Sequence, residues 1–193
     1  MKAILSFCMI LMMMLIACNS DPFVQDEPFI LKKANVPIPM KADFCAVPDM
    51  SSTMILIPIP GLDPNDPNNY MPSKMFVSGN ATLMGQVITE KSICEVTEFS
   101  FLLETDEQNN SVPCLMQKGT GVMTAANGDN YQIHWWVKTS LPSWNYIGEV
   151  EIHDGTGKFE GATGTVSMIG KIDLATHTNC WTADGQIVFP SKK

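Results

Sequence analysis

Glu149 and Glu151 are the two carboxylates whose spacing comes closest to that of a catalytic pair. On a strand, residues two apart share one face at a distance of about 7 Å, whereas a retaining glycosidase holds its two carboxyl groups about 5 to 5.5 Å apart. The two acids would have to lean together to act as proton donor and nucleophile. We interpret them as polar residues of an outer face, and we assign no catalytic residue in this sequence.

Candidate metal ligands are scattered along the chain. His134, His153 and His177 lie on separate segments, and neither a His-x-His nor a His-Glu-x-x-His spacing joins them. A second group offers the oxygen ligands that calcium prefers, but it lacks the glycine and the final glutamate of an EF-hand loop. This group comprises Asp63, Asn65, Asp66 and Asn68. The sequence therefore predicts neither a metal site nor a cofactor.

The charge of the chain excludes one class of partner. The formal net charge is −8 at pH 7, and all twelve cationic residues are lysines. Nucleic-acid binding depends on clustered Lys and Arg side chains that neutralise phosphates. We therefore exclude nucleic acid as a partner, and we expect this acidic surface to be repelled by anionic lipid headgroups.

The first twenty residues are typical of an export and anchoring signal. Lys2 precedes an apolar run at 3–16, which is shorter than the roughly 20 residues of a membrane-spanning helix but fits a secretory signal of about 7 to 15. Residues 15–18 (LIAC) form a lipobox, in which the thiol of Cys18 takes a diacylglycerol. We predict a lipoprotein signal peptide at 1–17, a lipidated tether at 18–40 and one β-barrel domain at 41–190.

The residues after Cys18 indicate a destination. Asn19, in place of an aspartate, favours the outer membrane over retention in the inner membrane. Asp21, Asp26 and Glu27 resemble the acidic export signals of some surface lipoproteins. The sequence predicts a bacterial cell-envelope protein that contacts the membrane through lipid on Cys18, and it leaves periplasmic and surface exposure as open alternatives.

The domain itself has the hydrophobic period of strands. Along residues 131–138 (YQIHWWVK), Tyr, Ile, Trp and Val take one face, as on a half-buried strand. Asn127-Gly128 just before it predicts a hairpin with a type I′ turn, in which both central residues have a positive φ. Other turns are expected at 106–111 and 141–143. Seven further strand candidates lie at 41–47, 75–87, 94–104, 114–125, 149–153, 166–174 and 181–189.

About eight short strands joined mostly by hairpins predict an all-β domain, a single small antiparallel sheet closed into a barrel. Closure is expected because it leaves no strand edge exposed to aggregation. The proline-rich stretch 57–72 cannot be a central strand, since proline removes a backbone hydrogen-bond donor. We expect it to form a long crossing loop near one barrel mouth.

Three glycine-containing segments follow one another along the chain: 77–86 (VSGNATLMGQ), 119–129 (GTGVMTAANGD) and 155–164 (GTGKFEGATG). Together they resemble bacterial relatives of the allene oxide cyclase and dirigent superfamily. The resemblance covers about 40–190 and implies a closed, calycin-like barrel. Its most specific part is a turn motif between two strands, whose aromatic is expected to fold back over the barrel end. The motif residues are Gly155, Gly157, Phe159, Gly161, Ala162 and Gly164. A shared fold hosts many functions, and no set of polar pocket residues matches the family position by position, so no catalytic residue is carried over.

The four cysteines of an exported domain, Cys45, Cys94, Cys114 and Cys180, predict up to two disulfides, and four cysteines allow three connectivities. Because the first and last strands of a closed barrel meet, we expect Cys45 to pair with Cys180. Elimination then pairs Cys94 with Cys114, although a simple hairpin places these two several residues out of register.

Three functions stay open at this point. The first is a non-enzymatic lipoprotein that binds a small apolar ligand or a protein partner through its barrel mouth. The second is a cyclase-like or isomerase-like enzyme that uses the barrel interior. The third is a surface adhesion or carbohydrate-contact module that uses Trp136 and the acidic loops, since one of two adjacent tryptophans on a strand must face outward. A wide lumen with a few convergent polar groups favours the first two, and a lumen packed shut with a flat aromatic patch outside favours the third.

Cys18→Ser is expected to abolish anchoring, because a hydroxyl cannot take the thioether-linked lipid. The variant should remain unprocessed or become soluble when cell fractions are examined by mass spectrometry. A variant that still fractionates with membranes after a high-salt wash, and that has lost its signal peptide, contradicts the lipobox.

Overall fold

Strands account for most of the chain that the structure describes. The structure is a computed structural model that describes residues 36–176 and 178–190. The predicted signal peptide, Cys18, the tether up to residue 35 and His177 lie outside these residues. Within them the only helical segments are three short 3-10 turns, and no helix is long and apolar enough to cross a membrane.

Eleven strands are formed in chain order. Their bounds are β1 Ile38–Pro48, β2 Met54–Leu56, β3 Tyr70–Pro72, β4 Lys74–Ala81, β5 Gly85–Gln86, β6 Ile93–Thr105, β7 Ser111–Thr124, β8 Asn130–Ser140, β9 Asn145–Gly155, β10 Thr163–Asp173 and β11 Thr178–Val188. Eight of these are long, and each coincides with one of the eight strands expected from the period of two.

The eight long strands form a closed ring. Consecutive strands pair from β6 to β11, β11 pairs with β1, and β1 pairs in turn with β4, which returns to β6. All of these pairings are antiparallel. The expected closed antiparallel barrel is therefore confirmed, and closure leaves β1 with a hydrogen-bonded neighbour on each side.

Three local features differ from the sequence expectation. β1 begins at Ile38, opposite Ile187, so the barrel starts three residues before position 41. In the hairpin at Asn127-Gly128 only Gly128 has a positive φ, and its amide donates to the carbonyl of Ala125, so the turn is not type I′. The last three residues of the expected loop 57–72 form β3, which pairs with β2 as a small ribbon.

Residues 49–73 connect β1 to β4, and we call them the arm. The arm carries the β2–β3 ribbon and lies at the barrel end where β1, β6, β8 and β10 finish, which we call the arm end. The Gln117 Nε2 atom, on the inner face of β7, donates to Met71 Sδ at 3.7 Å. This contact confirms that the arm lies near one barrel mouth.

Cys45 and Cys180 lie directly opposite each other on β1 and β11 and form a disulfide. The expected bond across the barrel closure is confirmed. The expected Cys94–Cys114 bond is wrong, since both thiols are free. Cys94 lies opposite Gly121 with its sulfur inside the barrel, whereas Cys114 lines a cleft on the outside, seven residues along β7 from Gly121. That spacing is about 23 Å along the strand.

Replacing both Cys45 and Cys180 with Ser is expected to lower the free energy of unfolding by about 4 to 5 kcal/mol, because the bond closes a very long loop in the unfolded chain. Urea unfolding measures the loss. As a control, reductant should bring the wild-type protein to the level of the variant and leave the variant unchanged. A Cys94–Cys114 linked peptide in a non-reducing digest would contradict the assignment.

Candidate functional site

Side chains fill the barrel interior. Tyr131, Ile133, Trp135 and Val137 of β8 all face inward and are buried. The Trp135 ring lies directly over Gly119 of β7, where a β-carbon would overlap the indole. A second glycine has the same role: Gly170, on the inner face of β10, leaves the space that the Tyr146 ring of β9 occupies. Large side chains facing glycines make this interior a packed core and not a channel.

The polar groups inside the barrel are uncharged. No Asp, Glu, Lys or His is found among the buried side chains of the described residues. The Tyr146 hydroxyl donates to Asn179 Oδ1, and burial raises the pKa of Tyr146 well above its usual range despite that contact. The hydroxyl of Thr139 is fully buried without a partner. The described interior therefore holds no acid–base pair that could transfer protons near neutral pH.

Phe159 closes the barrel end opposite the arm. The 155–164 motif joins β9 to β10, as expected, and its Phe159 ring is completely buried. The ring contacts Tyr131 at a centroid distance of 5.2 Å and Phe189 at 6.1 Å. Gly157 and Gly161 have φ values of +57° and +68°, which let the chain turn back. Phe159 thus acts as the expected plug.

Exposed apolar side chains concentrate toward the arm end. Eleven large hydrophobic residues are exposed in the described chain. Only Val36 and Val122 lie away from the arm. The nine in the arm or in the half of the barrel nearest to it are Val47, Met50, Met54, Leu56, Leu103, Trp136, Ile147, Ile169 and Leu174. Clusters of exposed apolar side chains mark binding surfaces in soluble domains.

A cleft of about 580 Å³ opens on the outer wall at this end. Its apolar side includes Ile147 and Ile169, which lie side by side at paired positions of β9 and β10. Its polar side is an ion pair, with Lys138 Nζ at 2.9 and 2.7 Å from the carboxylate oxygens of Glu104. Clefts of about 300 to 1,000 Å³ with apolar walls and few polar groups are typical of small-molecule sites. A second cleft of about 450 Å³ adjoins it across Ile169.

Neither free thiol is a candidate nucleophile. Burial raises the pKa of Cys94 to about 12. Burial also raises the pKa of Cys114, with a further rise from the Glu104 carboxylate that Lys138 opposes. Because the thiolate is the reactive form, these raised pKa values disfavour both cysteines as nucleophiles near neutral pH.

The outer face of β8 and β9 carries the candidate acids, as expected. Glu149 lies opposite the outward Trp136, and Glu151 lies opposite His134. The half-buried His153 points to the same face, and its ring centroid is 4.2 Å from that of His134. The structure therefore brings together two histidines that their sequence spacing left separate. The turn at 141–143 could have revealed this pair, because it sets the β8–β9 register.

The oxygen-rich arm loop uses its carboxylates within its own turns. Asp63 Oδ1 accepts from the backbone and side chain of Asn65, and Asp66 Oδ1 does the same for Asn68. Such contacts are the usual role of Asp and Asn in turns. Across residues 36–176 and 178–190, no group of three His, Cys, Asp or Glu side chains is arranged to hold a metal ion.

The fold and surface together define a closed, filled eight-stranded antiparallel barrel with an apolar arm end. No protein-family model matches the chain, and no curated protein matches it in sequence. Among solved structures, a pterocarpan synthase dirigent protein is similar at 15% identity with a TM-score of 0.38, over 80% of this chain and 91% of that chain. That overlap is too loose to support an argument, and the barrel assignment depends on the strand pairing.

Phe159→Ala is expected to lower the free energy of unfolding by about 3 to 5 kcal/mol, because it leaves a cavity at the plugged end. Leu103→Ala is the matched control: Leu103 is 66% exposed, and an exposed substitution usually changes stability by less than about 0.5 kcal/mol. Urea unfolding followed by circular dichroism measures both. Equal losses in the two variants would show that Phe159 is not a plug.

Proposed function

We propose that this chain is a non-enzymatic binding domain that takes a small apolar ligand in the cleft at the arm end. The observation that carries the proposal is the facing pair Ile147 and Ile169, which stay 51% and 66% exposed on the wall of a 580 Å³ cleft. Covering these two side chains with an apolar ligand would remove their surface from water, which is the main source of binding free energy for such ligands.

The polar side of the cleft defines the rest of the ligand. Lys138 and Glu104 neutralise each other, so a ligand with a full charge of either sign gains little from the pair as a whole. A hydroxyl, carbonyl or amide group could hydrogen-bond to either partner without breaking the ion pair. The fitting ligand is therefore an apolar molecule with one neutral polar group.

The filled interior argues against the enzyme alternative. A cyclase or isomerase that used the lumen would need room for its substrate and polar groups aimed at it. Trp135 and Phe159 occupy that space instead, and the buried side chains in the described chain are uncharged. The carbohydrate-contact alternative depends on Trp136 alone, which is 36% exposed between Lys118 and Glu149. The lumen is packed shut, but one exposed aromatic side chain is not the flat aromatic patch that this alternative requires, so we place it second.

The proposal includes anchoring of the barrel to the outer membrane through lipid on Cys18. Its support is the lipobox in the sequence, together with the position at which the barrel begins. β1 starts at Ile38, twenty residues after Cys18, and a tether of that length reaches at most about 65 to 70 Å when extended. Such a tether would hold the binding domain near the membrane without fixing its orientation.

Ile147→Thr and Ile169→Thr are each expected to weaken ligand binding about tenfold, since each removes an apolar contact and keeps a β-branched residue on its strand. The measurement is fluorescence titration of the purified protein with Nile red, an apolar dye with a neutral carbonyl. Leu174→Thr is the matched control, because Leu174 is 52% exposed at the same barrel end but does not line the cleft.

The proposal is overturned if the wild-type protein does not bind the dye, or if Leu174→Thr weakens binding as much as the two cleft variants. Native mass spectrometry of protein purified from its own membrane then identifies the natural ligand. A co-purifying apolar molecule that is lost in the Ile147→Thr variant supports the cleft as its site.

A further inference from the structure

On the basis of the function proposed above, we propose that the ligand is an uncharged single-chain molecule, such as a long-chain alcohol or amide. It extends from the cleft at the arm end into the second cleft beside it. The observation behind this proposal is that the two clefts share Ile169 and Gly170. They are therefore two segments of one groove on the outer wall of the barrel.

The first wall of the groove is a row of paired residues that crosses the strands. Neighbours in this row lie directly opposite each other, so all of them point outward as the exposed Ile147 and Ile169 do. From β8 to β1 the row comprises Lys138, Ile147, Ile169, Thr182 and Asp43. It crosses four strand spacings, which is about 19 Å. The acyl chains of one bilayer leaflet span half of a hydrocarbon core of about 30 Å, so the groove is long enough for a chain of that kind.

The second wall limits the width of the groove. Its residues also pair directly across the strands, and they are Asn145, Lys171, Cys180, Cys45 and Ser78. On each strand from β9 to β1, the residues of the two walls are two positions apart, which is a separation of about 7 Å. A gap of that size admits one extended chain but no second chain or broad ring system beside it. The groove therefore fits a linear ligand.

The floor of the groove is continuous where the two clefts meet. The residues between the walls turn their side chains into the barrel, so their backbone forms the floor. At the junction this residue is Gly170, and Ile169 of the first wall lines both clefts. A chain that leaves one cleft thus enters the other along the same apolar side chain, and removing both from water favours binding.

The charges around the groove select against an ionised ligand of the fatty-acid type. Three carboxylates line it, those of Glu104, Asp106 and Asp43, against the two ammonium groups of Lys138 and Lys171. The whole chain also has a formal net charge of −8 at pH 7, which repels anions. A hydroxyl or amide group at the end of a neutral chain can instead hydrogen-bond to the Lys138–Glu104 ion pair at the β8 end.

The test compares two twelve-carbon alcohols of different shape, the linear 1-dodecanol and the compact cyclododecanol, as competitors of Nile red on the purified full chain. We expect 1-dodecanol to bind at least tenfold more tightly, because only the linear molecule reaches past Ile169 into the second cleft. Ionised dodecanoate should bind severalfold more weakly than 1-dodecanol. Equal affinity of the two alcohols contradicts the groove but leaves the first cleft as a binding site, and dodecanoate binding as tightly as 1-dodecanol contradicts an uncharged ligand. Failure of Nile red to bind at all contradicts the proposed function as well.

Two variants then separate the second cleft from the first. Thr182 lines the second cleft only, whereas Thr165 is an exposed outward residue of β10 that lines neither. Thr182→Trp should fill the groove beyond Ile169 and weaken 1-dodecanol binding at least fivefold, while the affinity for cyclododecanol stays unchanged. Thr165→Trp is the matched control and should alter neither affinity, and circular dichroism confirms that both variants are folded. The proposal is wrong if Thr182→Trp binds 1-dodecanol as tightly as the wild type does, or if Thr165→Trp weakens that binding equally.

Discussion

Closure of the sheet through β1 is the constraint on which the rest of this structure depends. β1 pairs with β11 along one side and with β4 along the other, so the eight strands enclose a fixed volume that their own side chains must fill. That volume explains why large inner side chains face glycines, as Trp135 faces Gly119. The single disulfide spans the same β1–β11 pairing and covalently joins the two ends of the meander.

A filled interior moves the candidate chemistry to the outer wall. With Phe159 closing one end and aromatic rings occupying the centre, the exposed features are the apolar arm end and the polar face of β8 and β9. The proposed ligand cleft lies on this outer wall, where β8 contributes Lys138 and β9 contributes Ile147. A rigid barrel suits this arrangement because neighbouring strands hold the cleft residues in fixed positions.

The fold was predictable because its signals are local. A period of two identifies strands, and turn residues divide them, so the eight long strands and the Phe159 plug follow from short stretches of sequence. The Cys45–Cys180 bond also follows, once closure is assumed. The Cys94–Cys114 bond fails because the β6–β7 register places Cys94 opposite Gly121, seven residues along β7 from Cys114, and the two cysteines lie on opposite sides of the barrel wall.

The sequence by itself determined the strands, the closure and one disulfide, while only the tertiary structure decided which faces point inward and which distant residues meet. Alternation shows that Trp135 and Trp136 take opposite faces, but burial inside the closed ring selects Trp135 as the inner one. Likewise, His134 and His153 meet because the β8–β9 register aligns them. The physical reason is that local pattern fixes backbone conformation, whereas contacts between distant residues depend on how the whole sheet pairs and closes.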